Sequence, residues 1–281
     1  MRVAALIALL TISINLVSQT KSYGDNQEVG KYISLNNVKH YYEVYGTGAP
    51  LLLIHGNVTG IKGWAAQIEF FSKKYKVYAI DCRGRGKSEL GDDTLSYIQQ
   101  AKDMASFIQL MKLDSVDIIG KSDGAIIALF VGIYYPANIK RIVSFSANVR
   151  CDTTAFYPET INEIKQERRH ADKMLASKDT SKNWHLIQQL NRMMEFQPHI
   201  TAADLHKIKI PVLVMSGARD VIKEEHTFFI YQNIPMADLS ILSGETHYVP
   251  RLNPELFNST VDKFLSQPFK GKSFKYRTKP L

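Results

Sequence analysis

Cysteine is almost missing from this chain. Its 281 residues include only Cys82 and Cys151, too few for a disulfide framework. They follow the strands expected at 76–80 and 141–145, taken as three positions apart in the sheet, a gap of roughly 14 Å at about 4.8 Å per strand. A disulfide needs Cα atoms within about 7 Å, so two free thiols are expected. Metal-ligand spacing is missing too: neither His-x-x-x-His nor Cys-x-x-Cys occurs, and no metal is expected. Internal repeats and low-complexity tracts are absent. The N-terminal apolar stretch 3–17 falls short of the roughly 20 residues a membrane span needs and is relieved only by Thr11, Ser13 and Asn15. With Arg2 before it and small residues at 18–22, it reads as a secretory signal over 1–22. The mature protein is then expected to be exported, to a periplasm or the exterior, with no integral membrane association after cleavage.

Acidic residues are missing from one end. The tail 267–281 carries Lys270, Lys272, Lys275, Arg277 and Lys279 with no negative charge, a large part of the formal net charge of +8. Such a tail can touch nucleic acid or an anionic surface. For an exported chain it is read as a solvated terminus, and no nucleic-acid partner is expected. Gly86-Lys87-Ser88 suggests a phosphate loop, but the first glycine of that motif would fall at position 81, which is Asp81.

What remains alternates between two periodicities. Short apolar runs at 31–35, 40–45, 51–54, 76–80, 116–119, 141–145, 212–215 and 239–242 read as eight strands. Between them lie stretches of helical spacing, such as Ile98, Ala101, Ala105, Ile108 and Met111. Apolar strands alternating with helices imply a mostly parallel sheet covered on both faces. With 45% hydrophobic residues, the length suits one α/β domain carrying an insertion. That gives a core over 23–150 and 209–266, interrupted at 151–208 by a charged, helical segment expected to form a small cap or lid. Its stripe Trp184, Ile187, Leu190 and Met194 fits a helix facing the site, with Trp184 touching substrate. It fits a helix packed on the core equally well.

The most informative stretch is Gly120-Lys121-Ser122-Asp123-Gly124, set between the apolar runs 116–119 and 125–130. Gly-x-Ser-x-Gly between a strand and a helix is a nucleophile elbow. The sharp turn lifts the serine hydroxyl clear of the sheet and aims a helix N-terminus at what it attacks. A serine nucleophile needs a base and a group to orient that base. His247, after the last strand, is the candidate base, and Asp220, after the run 212–215, is the candidate acid. The order Ser122, Asp220, His247 is the one this elbow motif calls for. The oxyanion would take backbone N–H groups from Asp123 and from the loop His55-Gly56-Asn57-Val58, with Asn57 preferred and Val58 the fallback.

On these motifs, together with the segment 81–88, the chain over 31–265 resembles the α/β-hydrolase fold superfamily. Ser122-Asp123-Gly124 with Ser146-Ala147-Asn148 resembles, within it, the biphenyl hydrolase-like group that includes valacyclovir hydrolase. That resemblance implies an α-amino acid ester hydrolase in which Asp123 helps to bind the substrate ammonium. The same aspartate also suits a helix N-terminus without any ligand. Serine at the elbow sets the chain apart from the epoxide hydrolase and haloalkane dehalogenase relatives, which carry aspartate there. The expectation is therefore an exported serine hydrolase acting on a small or medium carboxylic ester, without a cofactor, with Asp123, Val58 and Trp184 contacting substrate. A carbon–carbon bond hydrolase, an enol-lactonase or a proline iminopeptidase-like peptidase would keep the same residues. A ligand-binding protein with weak turnover is the reading from a different class.

Overall fold

The computed structural model describes residues 22–92 and 94–271. Residues 1–21 of the segment expected to be a secretory signal, and the tail beyond 271, lie outside the described residues. Eight strands, β1 (Gly30–Leu35), β2 (Val38–Tyr45), β3 (Ala49–Ile54), β4 (Tyr75–Ile80), β5 (Val116–Lys121), β6 (Ile139–Phe145), β7 (Val212–Arg219) and β8 (Ala237–Thr246), form one sheet in the order β1-β2-β4-β3-β5-β6-β7-β8. The pairs β1–β2 and β2–β4 are antiparallel; all others are parallel. The hairpin joining β1 to β2 turns on Asn36 and Asn37, with φ of 46° and 65°. Two successive left-handed residues suit a tight hairpin, and asparagine tolerates that conformation better than most residues.

Helices α1 (Ala65–Phe71), α2 (Tyr97–Leu110), α3 (Asp123–Tyr134), α4 (Pro158–Ala176), α5 (Trp184–Phe196), α6 (Ala202–Leu205), α7 (Glu224–Asn233), α8 (Val249–Leu252) and α9 (Pro254–Ser266) complete the described chain. Strand β3 shows why its sequence is apolar throughout. Leu52 and Ile54 enter one core with residues of α2, α3 and α7, while Leu51 and Leu53 enter the other with α1 and α9. A strand buried on both faces has no side left for polar residues. Helices α4 and α5 pair with each other within the stretch that the sequence sets apart from the core.

The segment after β4 ties loops together. Asp81 accepts hydrogen bonds from the N–H groups of Ile61 (2.8 Å) and Lys87 (2.9 Å). Buried Arg83 grips Asp103 of α2 through two bonds of 2.5 and 2.9 Å. Cys82 and Cys151 are both free, and burial pushes the Cys82 thiol up to about 12.

Candidate active site

The elbow depends on its glycines. Ser122 sits between β5 and α3 with φ 54° and ψ −120°, a strained conformation for a residue with a side chain. A Cβ on Gly124 would lie 2.0 Å from the Ile54 carbonyl oxygen, and one on Gly120 would lie 2.3 Å from that of Gly124. Neither position has room for a methyl group. A Cβ on Gly56 would come 3.3 Å from Ser122 Cβ, so the loop after β3 passes directly beside the serine. Its shape is held by His55, whose Nε2 accepts the Cys82 N–H at 2.9 Å, leaving Nδ1 to donate to the Gly56 carbonyl at 2.6 Å. Complete burial drives the His55 imidazolium down to about 3, so this histidine is a neutral strut.

The ends of β7 and β8 bring the other two candidates together. His247 Nδ1 meets Asp220 Oδ1 at 2.8 Å. The rest of the aspartate is also engaged: Oδ2 accepts the Ser146 hydroxyl at 2.5 Å and Oδ1 accepts the Ile222 N–H at 3.1 Å. Burial alone would raise this carboxyl. The hydrogen bonds and the charge of His247 outweigh burial and hold it below the usual carboxylate range. An ionised aspartate at Nδ1 fixes the tautomer that leaves Nε2 free to take a proton. Ser122 and His247 line one cavity of about 230 Å³, and among the described residues no hydrogen bond joins the two side chains. Such bonds are often long until a substrate closes the site.

Asp123 opens α3, so its N–H has no acceptor within the helix, and Asn57 and Val58 line the same cavity as Ser122. The two predicted oxyanion donors therefore flank the serine. The Asp123 side chain is buried, at 3% exposure. Its Oδ1 accepts the Tyr97 hydroxyl at 2.8 Å. The Asn57 amide lies close enough to lower the Asp123 carboxyl, yet Asn57 Nδ2 and Asp123 Oδ2 both lack a hydrogen-bond partner. Burial dominates, and the carboxyl is raised despite nearby Arg85 and the Tyr97 bond.

Trp184 does not reach this cavity, which corrects its expected contact with substrate. It is buried at the start of α5, with its ring edge-on to His170 of α4 at 5.2 Å and its indole N–H donated to Asp179 at 2.5 Å. The end of α5 that lines the cavity holds Met194, about 15 Å further along the axis at 1.5 Å per residue. Ile164 and Thr160 of α4 line it as well. The spacing of the stripe could have offered Met194 as readily as Trp184. Ser146 entered the sequence reading only within Ser146-Ala147-Asn148, with no role assigned; its φ of 56° marks a special turn once the fold is known. Among the described residues, no three His, Cys, Asp or Glu side chains converge as a metal site would require.

Comparison with known proteins agrees with this architecture. A family model of the α/β hydrolase fold matches residues 49–173. The Homo sapiens serine hydrolase BPHL is 25% identical over 249 residues, spanning 83% of this chain and 85% of that protein. The Acinetobacter baylyi (E)-2-((N-methylformamido)methylene)succinate hydrolase is 35% identical over 114 residues, 39% of this chain and 41% of that protein. The crystal structure of the enol-lactonase from Burkholderia xenovorans LB400 has a TM-score of 0.70 at 20% identity, covering 84% of this chain and all of that one (100%). At that identity the likeness concerns the fold alone.

Proposed function

We propose that this chain, which has the α/β-hydrolase fold, is a serine hydrolase that cleaves small or medium carboxylic esters through an acyl-enzyme. The observation that carries this reading is the strained Ser122 elbow sharing one cavity with the His247–Asp220 pair. In the proposed cycle, His247 Nε2 takes the Ser122 proton as Oγ attacks the ester carbonyl. The N–H groups of Asn57 and Asp123 hold the oxyanion, an effect worth about 2.7–4 kcal/mol per donor. His247 then returns the proton to the leaving alcohol, and a water activated by the same imidazole releases the acid. Asp220 keeps the tautomer and stabilises the imidazolium without taking the proton. No cofactor enters the cycle. Val58, 77% exposed at the rim of the cavity, would contact the entering substrate. The signal-like segment 1–22 supports export to a periplasm or the exterior.

The buried, unpartnered Asp123 Oδ2 favours an acyl group with an α-ammonium, in line with the resemblance to the biphenyl hydrolase-like group. An ammonium there would satisfy the orphaned oxygen and pull the raised carboxyl into its charged form. The test is turnover of p-nitrophenyl esters from acetyl to palmitoyl, and of glycyl and valyl esters, by the wild type and by Ser122→Ala. Short-chain hydrolysis should vanish in Ser122→Ala, and Asp123→Asn should lose the preference for charged acyl groups. Folded protein that turns over no ester refutes the ester reading. Unchanged preference in Asp123→Asn refutes the ammonium role.

A further inference from the structure

A second cavity adjoins the first. It has a volume of about 70 Å³ and shares Gly56, Thr59, Lys121 and Tyr248 with the cavity that holds Ser122. On the scale of about 30 Å³ per liquid water, it has room for a carboxylate with little to spare. It lies between the loop after β3, the short 3-10 turn Ile61–Trp64 and α8.

Its walls carry positive charge and no negative charge. Lys121 and Arg251 both line it, and no aspartate or glutamate does. His55 also lines it, but its two ring nitrogens are occupied within the loop. Both cations lie over the same ring, with Lys121 Nζ 5.2 Å and the Arg251 guanidinium carbon 5.7 Å from the Tyr248 centroid. A ring quadrupole attracts each cation but does not cancel their mutual repulsion. Among the described residues neither side chain has a hydrogen-bond or ion-pair partner. The carboxylate that acts on Lys121 is Asp220, and Asp220 is already held by His247, Ser146 and Ile222.

The 3-10 turn supplies an independent observation. Trp64 is 1% exposed, lines the cavity, and has an indole N–H with no hydrogen-bond partner. Buried donors are rarely left unpaired, because an unpaired one forfeits its water for nothing. An anion in this cavity would give the indole an acceptor and the two cations a counter-charge. It would also offset the burial that, with Arg251, now holds the Lys121 ammonium below its usual range.

We propose that this cavity is an anion subsite, and that the preferred ester carries a carboxylate received by Lys121 and Arg251 beside the nucleophile. The inference rests on the ester-hydrolase reading and adds the sign of the substrate's distal group. Asp123 lines the cavity of Ser122 and not this one, so an ammonium and a carboxylate would enter different cavities.

The experiment compares mono-p-nitrophenyl adipate with p-nitrophenyl hexanoate, which have the same chain length and differ by one carboxylate. The wild type should favour the adipate at least about tenfold in kcat/KM. In Lys121→Met that ratio should fall about tenfold, and in Arg251→Gln severalfold, chiefly through KM. Because each ratio is taken within one variant, a loss of folded protein cancels. Turnover of both esters with no wild-type preference overturns the subsite and leaves the ester reading standing. An equal fall on both esters in Lys121→Met would place the lysine in support of Asp220 and also overturns it. Failure of both esters with the wild type refutes the ester reading. Calorimetric titration of Ser122→Ala with glutarate then decides the subsite. Binding that Lys121→Met abolishes sustains it, and no binding overturns it.

Discussion

Asp117 should cost this protein stability at neutral pH, and removing its charge should recover it. The residue lies near the start of β5, is 1% exposed, and neither carboxylate oxygen has a hydrogen-bond partner. Its neighbour across the sheet, Arg141, donates instead to the carbonyls of Phe264 and Leu265 at the end of α9. Burial raises the Asp117 carboxyl from 3.8 to about 6, against the weaker pull of Lys140 and Arg141. A folded-state value above the unfolded one means that the native protein binds the extra proton in that window. Stability from this group is therefore intact below about pH 4 and is lost as pH rises through 6. A difference of about two pH units at 1.36 kcal/mol each gives a penalty of about 3 kcal/mol at pH 8 and about 1.6 kcal/mol at pH 5. An asparagine at this position would resemble the protonated acid at every pH. Urea unfolding of Asp117→Asn should show a gain near 3 kcal/mol at pH 8 that shrinks by about half at pH 5. Ester turnover should not change, because Asp117 lies about 16 Å along the strand from Ser122. A stability change that is independent of pH, or a loss at pH 8, would refute the assignment of Asp117 as a buried, unpaired charge.

Ser146→Ala removes the 2.5 Å hydrogen bond to Asp220 Oδ2 and should lower kcat by about tenfold to a hundredfold, the scale of one bond to a charged group. It should also move the acidic limb of the pH–rate profile upward, because a carboxyl held down by its donors rises when one is lost; an unmoved limb would deny Ser146 this role. Gly124→Ala drives a methyl group into the Ile54 carbonyl and should destabilise the fold by more than about 3 kcal/mol, read by thermal unfolding. Wild-type stability in that variant would contradict the tight approach of α3 to β3.

The features legible in the sequence were those that one segment carries alone. The run 51–54 announces a central strand because both its faces are buried, and Gly-x-Ser-x-Gly announces an elbow because both glycines and the serine fall within five residues, although Gly124 is also forced by contact with Ile54 of β3. The order Ser122, Asp220, His247 was readable for a related reason. Strands of a parallel sheet end on one edge, so residues just past β5, β7 and β8 must gather there. Nothing comparable fixes a helix outside the sheet. The α5 stripe is amphipathic from Trp184 to Met194, but which end meets the cavity depends on how α4 and α5 lie over the site. Here Met194 lies against the cavity while Trp184 packs on His170.

The second cavity was further out of reach. Trp64, Lys121 and Arg251 come from three separate parts of the chain, and each has an ordinary local reading: a core aromatic, the variable position of an elbow, a charge on a short helix. Only their meeting, with two unpaired cations and an unpaired indole N–H around one space, turns them into a recognition site. The elbow needs glycines on both sides but leaves position 121 free of that demand. The residue next to the nucleophile can therefore set which substrates approach without disturbing the turn. In this chain that position holds a partly buried lysine that lines both cavities. Chemistry fixed by the elbow and selectivity placed at its variable neighbours, Lys121 and Asp123, would let the same catalytic frame serve substrates of opposite charge.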